Sequence, residues 1–211
     1  MSPPDLAALL GEARDLTRRY QAGRREAFQA FGDLASLILH QTVLDPSGVV
    51  RLTYGPRREE PVLGGAAGPG DPVLLTDGRY LRLTMQLFFE DTPPHGRRAK
   101  VKMSSFQYQL DREGEQWIFR YDYVREPPEP HPAMHLQIRG TLKEPSLPAD
   151  RPLERIHFPT QRVSLEAVIR LLVEQFGTPA RERAEVWRPL LAETEAAFLA
   201  IAPRTLSGPV R

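Results

Sequence analysis

Apolar residues recur at helical spacing at Leu6, Leu9, Leu10, Ala13, Leu16 and Tyr20, and again at Phe28, Phe31, Leu34, Ala35, Ile38 and Leu39. This pattern predicts helix from residue 5 to residue 40. It fits either one long helix or a helical hairpin broken near Ala22-Gly23. Unbroken, the helix would run about 50 Å at about 1.5 Å per residue, longer than a domain of this size covers alone, so a break or a dimer partner is implied. A short strand at Val49 to Tyr54 leads into "YGPRREEPVLGGAAGPGDP", residues 54–72, which reads as a loop by its glycine and proline content.

From Tyr80 the period changes to two. Leu81, Leu83, Met85, Leu87 and Phe89 point one way, and Arg82, Thr84 and Gln86 the other, as in a half-buried strand. "AKVKMSSFQYQL" and "QWIFRYDYV" are the next strands, joined by a turn at Arg112-Glu113-Gly114. Burial sets their register. Leu110 opposite Trp117, Tyr108 opposite Phe119 and Phe106 opposite Tyr121 gather the aromatics on one face, and Gln107 then meets Arg120 while Ser105 meets Asp122 on the other. Val101 and Met103 are apolar at the opposite parity to Phe106 and Tyr108, which predicts a β-bulge at Ser104-Ser105. "MHLQIRG" is a further strand, with Met134, Leu136 and Ile138 inward and His135, Gln137 and Arg139 outward, and "ERIHF" supplies a short fifth. Ser164 then caps a helix carrying Leu165, Val168, Ile169, Leu172 and Phe176 and ended by Gly177 and Pro179. A last helix runs from Ala180 to Ile201, where Pro189 kinks it or starts a second segment. The expected fold is α+β, an antiparallel sheet of about five strands covered on one face by N- and C-terminal helices. It divides as a helical segment or hairpin over 1–45 and an α+β domain over 46–211, or forms one continuous domain.

Composition narrows the function classes. The 28 Lys and Arg nearly balance the 27 Asp and Glu, so the chain lacks the basic excess of a non-specific nucleic-acid binder. With no cysteine there is no disulfide, thiolate nucleophile or Cys-ligated zinc, which fits a reducing compartment. Asp5 and Glu12 stand where a signal peptide carries basic residues, and no apolar run reaches membrane-spanning length. A soluble cytoplasmic protein is expected.

The outward sheet face collects Arg82, Gln107, Arg120, Asp122, His135, Gln137 and Arg139. This set suits binding an anion and moving a proton, and it equally suits the solvated side of an antiparallel sheet. Arg120, Asp122, His131 and His135 are the candidate catalytic residues. His131 and His135 are about 13 Å apart in extended chain, with neither carboxylate nor Cys at ligand spacing, so no metal and no cofactor is predicted. "HGRRAKVK", residues 95–102, is the densest basic stretch. It reads either as a strand tracking nucleic-acid phosphates or as a lysine-rich edge guarding against aggregation. No phosphate-binding loop, dinucleotide fingerprint or nucleophile elbow is present.

The order Tyr121-Asp122, His131 and His135, Phe158, then Ser164-Leu165 with a helix closing in Gln175-Phe176 resembles the C-terminal part of TumE-type toxin components of toxin-antitoxin systems. The likeness spans residues 117–177. It departs from the family at Tyr123, where Asn is usual, in the wider histidine spacing, in the long stretch 141–153 and in the N-terminal helices. The resemblance implies a toxin-like or defence-related component acting on RNA and neutralised by an antitoxin-like partner. Two rival readings come from other classes: a non-catalytic interaction or scaffold module pairing through its N-terminal helices, including as a homodimer, and a ligand-binding protein using the hollow of a curved sheet.

Overall fold

Asp5 Oδ1 accepts a hydrogen bond from Ala7 N at 3.0 Å and so caps α1, Leu6–Gln21. The chain turns at Gly23, in the left-handed region at φ +66°, and resumes as α2, Ala27–Gln41. The N-terminal pattern is therefore a hairpin of two helices. The structure is a computed structural model and describes residues 5–24, 26–55, 60–92, 96–128, 132–140 and 158–201.

The described strands are β1 Arg51–Thr53, β2 Val62–Gly64, β3 Val73–Leu74, β4 Tyr80–Thr92, β5 Gly96–Gln109, β6 Trp117–Val124, β7 Met134–Ile138 and β8 Phe158–Pro159. They form one antiparallel sheet in the order β1-β2-β4-β5-β6-β7-β8, with β3 also pairing β4. The count exceeds the five expected, in part because the glycine-rich connector pairs rather than looping free: β2 lies in it and adds to β4. Its glycines allow a close turn. A Cβ on Gly64 would sit 2.5 Å from Gly68 O, and one on Gly65 would sit 2.5 Å from Asp71 O, while Asp71 Oδ2 accepts from Ala67 N at 2.8 Å.

The central register is the one burial requires. Tyr108 faces Phe119, Phe106 faces Tyr121, Gln107 faces Arg120 and Ser105 faces Asp122. Two local expectations are corrected. The bulge falls at Lys102, which is skipped between the pairs Gln86↔Met103 and Leu87↔Val101, not at Ser104-Ser105. Lys102 is exposed there and its Nζ reaches Glu60 Oε2 at 2.8 Å, so the unpaired residue is the one with a charge to solvate. A second irregularity pairs Trp117 with Gln109 instead of Leu110. Ile118 then packs against the core in the place expected of Trp117, and the link between the strands is the loop 110–116. Asp111 organises this loop by accepting from the backbone nitrogens of Gly114, Glu115 and Gln116 at 2.6, 2.9 and 2.7 Å.

Leu81, Leu83, Leu87, Phe106, Tyr108, Phe119 and Tyr123 present the buried face of the sheet to the helices. Leu16, Phe28 and Ile38 of the hairpin join the same cluster, as do Val168 and Ile169 of α3, Leu165–Glu174, and Leu190 of α4, Ala184–Ile201. Ser164 caps α3 by accepting from Ala167 N at 3.0 Å. Just past that helix, Phe176 sits 5.1 Å from the Tyr108 ring and 5.4 Å from the Phe119 ring. Pro189 lies inside α4, which begins at Ala184 rather than Ala180 and runs through it as one helix. No helix among the described residues is long and apolar enough to cross a membrane.

Candidate functional site

Antiparallel pairing carries two rows of polar side chains across the face away from the helices. One row runs Arg82, Gln107, Arg120, Gln137, and the next runs Thr84, Ser105, Asp122, His135. Arg120 Nε donates to Asp122 Oδ2 at 2.7 Å, His135 Nε2 lies 3.4 Å from the same oxygen, and an Arg120 terminal nitrogen donates to Gln137 Oε1. The structure thus brings Arg120, Asp122 and His135 together. His131 lies outside the described residues.

This face is not the solvated side that polar alternation suggests. The Arg120 side chain is 38% exposed, but that of Asp122 is 17% and that of His135 9%. Gln107, Gln109 and Gln137 are buried. The loop 110–116 folds back over one end: Gln109 Nε2 donates to the carbonyls of Asp111 and Arg112, and Arg82 donates to Glu113 O at 2.9 Å. Gly114 makes the approach possible, because a Cβ there would meet Arg82, Gln109 and Gln107 atoms at 3.0 to 3.2 Å. The other ring nitrogen of His135 faces Pro132 O at 3.4 Å, so an acceptor stands opposite each nitrogen of the imidazole. Chemically, Asp122 is placed to orient the Arg120 guanidinium and the His135 ring. Among the described residues no group of three or more His, Asp or Glu is placed to hold a metal.

The other face holds a different kind of site. Between the helices and the buried side of the sheet lies a narrow crevice with a cavity volume of about 40 Å³, partly open to solvent. Phe31, Leu34, Ala35 and Ile38 of α2 form one wall, Met85 and Ser104 lie on the sheet side, and Glu166, Thr194 and Phe198 come from α3 and α4. A second pocket lined by Leu87, Lys100 and Val101 adjoins it, and the two share Tyr20, Phe31, Arg162 and Phe198.

Arg162 sits where the chain passes from β8 to α3. Its guanidinium carbon lies 4.5 Å from the centroid of the Tyr123 ring and 4.8 Å from that of Phe198, within cation–π range of both. Among the described residues it has no hydrogen-bond or ion-pair partner. Burial pulls its pKa below the usual value, opposed by the Tyr123 side chain. Burial also pushes the Tyr20 hydroxyl up to about 12, holds the Glu166 carboxyl above the ordinary carboxylate range and lowers the Lys100 ammonium.

Arg162 and Glu166 did not stand out in the sequence, whereas Tyr20 belongs to the first apolar stripe and Lys100 to the basic stretch 95–102. Arg162 is a lone arginine ahead of a helix cap, and the rings that flank it come from residues 123 and 198. No family model, curated protein or solved structure matches this chain.

Proposed function

We propose that this protein is a binding module that takes a small molecule with an apolar body into the crevice between its helices and its sheet. The observation that carries the reading is the make-up of that space: apolar walls from α2 and β4, with a few polar groups from Tyr20, Arg162, Glu166 and Thr194. Small-molecule sites have this composition, an apolar lining with a few placed polar groups that orient the ligand. The polar face, by contrast, satisfies its side chains largely with one another. The hairpin supports a binding rather than a pairing role for its apolar stripe, since Leu9, Ala13, Leu16, Phe28, Leu34 and Ile38 are all buried within the chain's own core. Decanol tests the reading by isothermal titration. Saturable binding is expected, and Ala35→Leu, which adds volume to the wall, is expected to weaken it at least tenfold while the protein still melts cooperatively. Absence of binding, or binding indifferent to Ala35→Leu, contradicts the reading.

A second reading, a toxin-like or defence-related component acting on RNA from the polar face and restrained by an antitoxin-like partner, is supported by the meeting of Arg120, Asp122 and His135 at one carboxylate oxygen. Expression in a bacterial host is then expected to arrest growth, and His135→Gln to relieve the arrest without loss of the folded circular dichroism spectrum. Normal growth with the unsubstituted protein counts against it. Both readings place the protein in the cytoplasm.

A further inference from the structure

We infer that the ligand of the crevice is an organic carboxylate with a slender apolar chain, its head group held by Arg162. This rests on the binding reading given above and adds the chemical class of the head group.

A guanidinium carries five N–H donors in one plane and stays charged. No Arg162 nitrogen is among the buried donors left without a partner, which are Arg82 Nε and Arg98 Nε among the described residues, so its N–H groups reach solvent at the edge of the crevice, where an acceptor on a ligand would replace water. The rings of Tyr123 and Phe198 lie against the guanidinium, but neither ring accepts the in-plane N–H groups. No described carboxylate does so either. Glu166 shares the crevice, yet it is buried, and burial pushes its carboxyl above the ordinary carboxylate range. Glu195, farther along α4, is held by Arg170 and by Ser164 Oγ at 2.7 Å. Lys100 lines the adjoining pocket, and Arg125, the cation that bears on Arg162, is itself ion-paired to Glu90 at 2.7 Å.

Charge selects among anions. The Tyr123 and Phe198 rings lie against the guanidinium, and its N–H groups are what it offers a ligand. A carboxylate accepts two of these in the plane of the fork and brings one negative charge to match the one guanidinium, whereas a phosphate monoester, which also fits the fork, brings nearly two. The chain of the acid then runs along the apolar wall formed by Phe31, Leu34 and Ala35.

The test uses the full-length protein with decanoate, decanol and decyl phosphate as probes in isothermal titration, on the unsubstituted protein and on Arg162→Met. Decanoate is expected to bind about 10- to 100-fold more tightly than decanol, the span of a charge-assisted hydrogen bond. Arg162→Met is expected to abolish that ratio, lowering decanoate affinity about 10- to 100-fold. Equal affinity for acid and alcohol in the unsubstituted protein overturns the inference while leaving the binding reading intact. Tighter binding of decyl phosphate than of decanoate overturns the carboxylate assignment. If none of the three binds, the binding reading itself has failed. The acid-to-alcohol comparison on the unsubstituted protein decides the matter even where Arg162→Met folds poorly, and Arg162→Lys, which keeps the charge but loses the fork, is expected to retain part of the preference.

Discussion

Tyr108→Ala is expected to lower stability by about 3–5 kcal/mol, measured by urea denaturation. Tyr108 is fully buried on β5, and its ring packs against Phe119 at 5.6 Å and Phe176 at 5.1 Å. Truncation would empty the place where β5, β6 and the end of α3 meet. The hydroxyl has its own task. Arg79 donates to it at 2.6 Å and it lies 3.2 Å from Asp77 Oδ2, which also accepts from Thr178 Oγ1 at 2.8 Å. Tyr108→Phe keeps the ring and removes only this link between the loop before β4 and the segment after α3, so about 1–2 kcal/mol is expected. Leu110→Ala, two residues away but 44% exposed, should fall within about 0.5 kcal/mol of the unsubstituted protein. Equal effects at residues 108 and 110 would mean that the inward parity of β5 is wrong.

Gly23→Ala is expected to be as damaging, at about 3–5 kcal/mol, for a reason rooted in the backbone. Gly23 has φ +66°, and a Cβ there would lie 1.6 Å from the carbonyl oxygen of Arg97. Neither partner can swing aside like a flexible side chain, because one belongs to the turn between α1 and α2 and the other to β5. The hairpin and the strand would have to separate, drawing Phe28 from Phe89, whose ring centroids are 4.1 Å apart. Gly11, on α1 with nothing within 4 Å of a Cβ, is the control: alanine there should stabilise by up to about 1 kcal/mol. A mild Gly23→Ala would show that the α1–α2 turn does not press on β5.

The two N-terminal apolar stripes, the period of two in β4 and the pairing of β5 with β6 were legible because each rests on local spacing plus one burial constraint, while one helix or two stayed open for residues 5–40. Gly23 stands at the break between two apolar stripes, and only one register keeps Phe106, Tyr108, Phe119 and Tyr121 together. The chain was less legible where an extra residue enters a strand. Lys102 and Ile118 shift the parity of their neighbours, and the same alternation can be broken at several adjacent residues with little change in the pattern. The glycine-rich connector misled for a related reason, since glycines that permit a mobile loop also permit the close turn between β2 and β3.

For the polar face, alternation put Arg120, Asp122 and His135 on one side of the sheet, and the pairing of β6 with β7 brings them together. What alternation could not supply was the burial of Gln107 and Gln109, because loop 110–116 folds back over that end of the face, held by the carboxylate of Asp111. The crevice was illegible for a deeper reason. Tyr20, Arg162 and Phe198 come from three elements far apart in the chain, and an arginine without an acceptor is visible only once its surroundings are known.

The central claim is that the space between the helices and the sheet is a ligand site with Arg162 at its polar end. A crystal structure of the full-length protein with 10-bromodecanoate tests it most directly, because anomalous scattering locates the bromine independently of any fitting of the chain. The account predicts a bromine peak against the α2 wall near Phe31 and Leu34, with the carboxylate on the Arg162 guanidinium. A peak on the outer polar face or on the molecular surface, with the crevice unchanged, would contradict it.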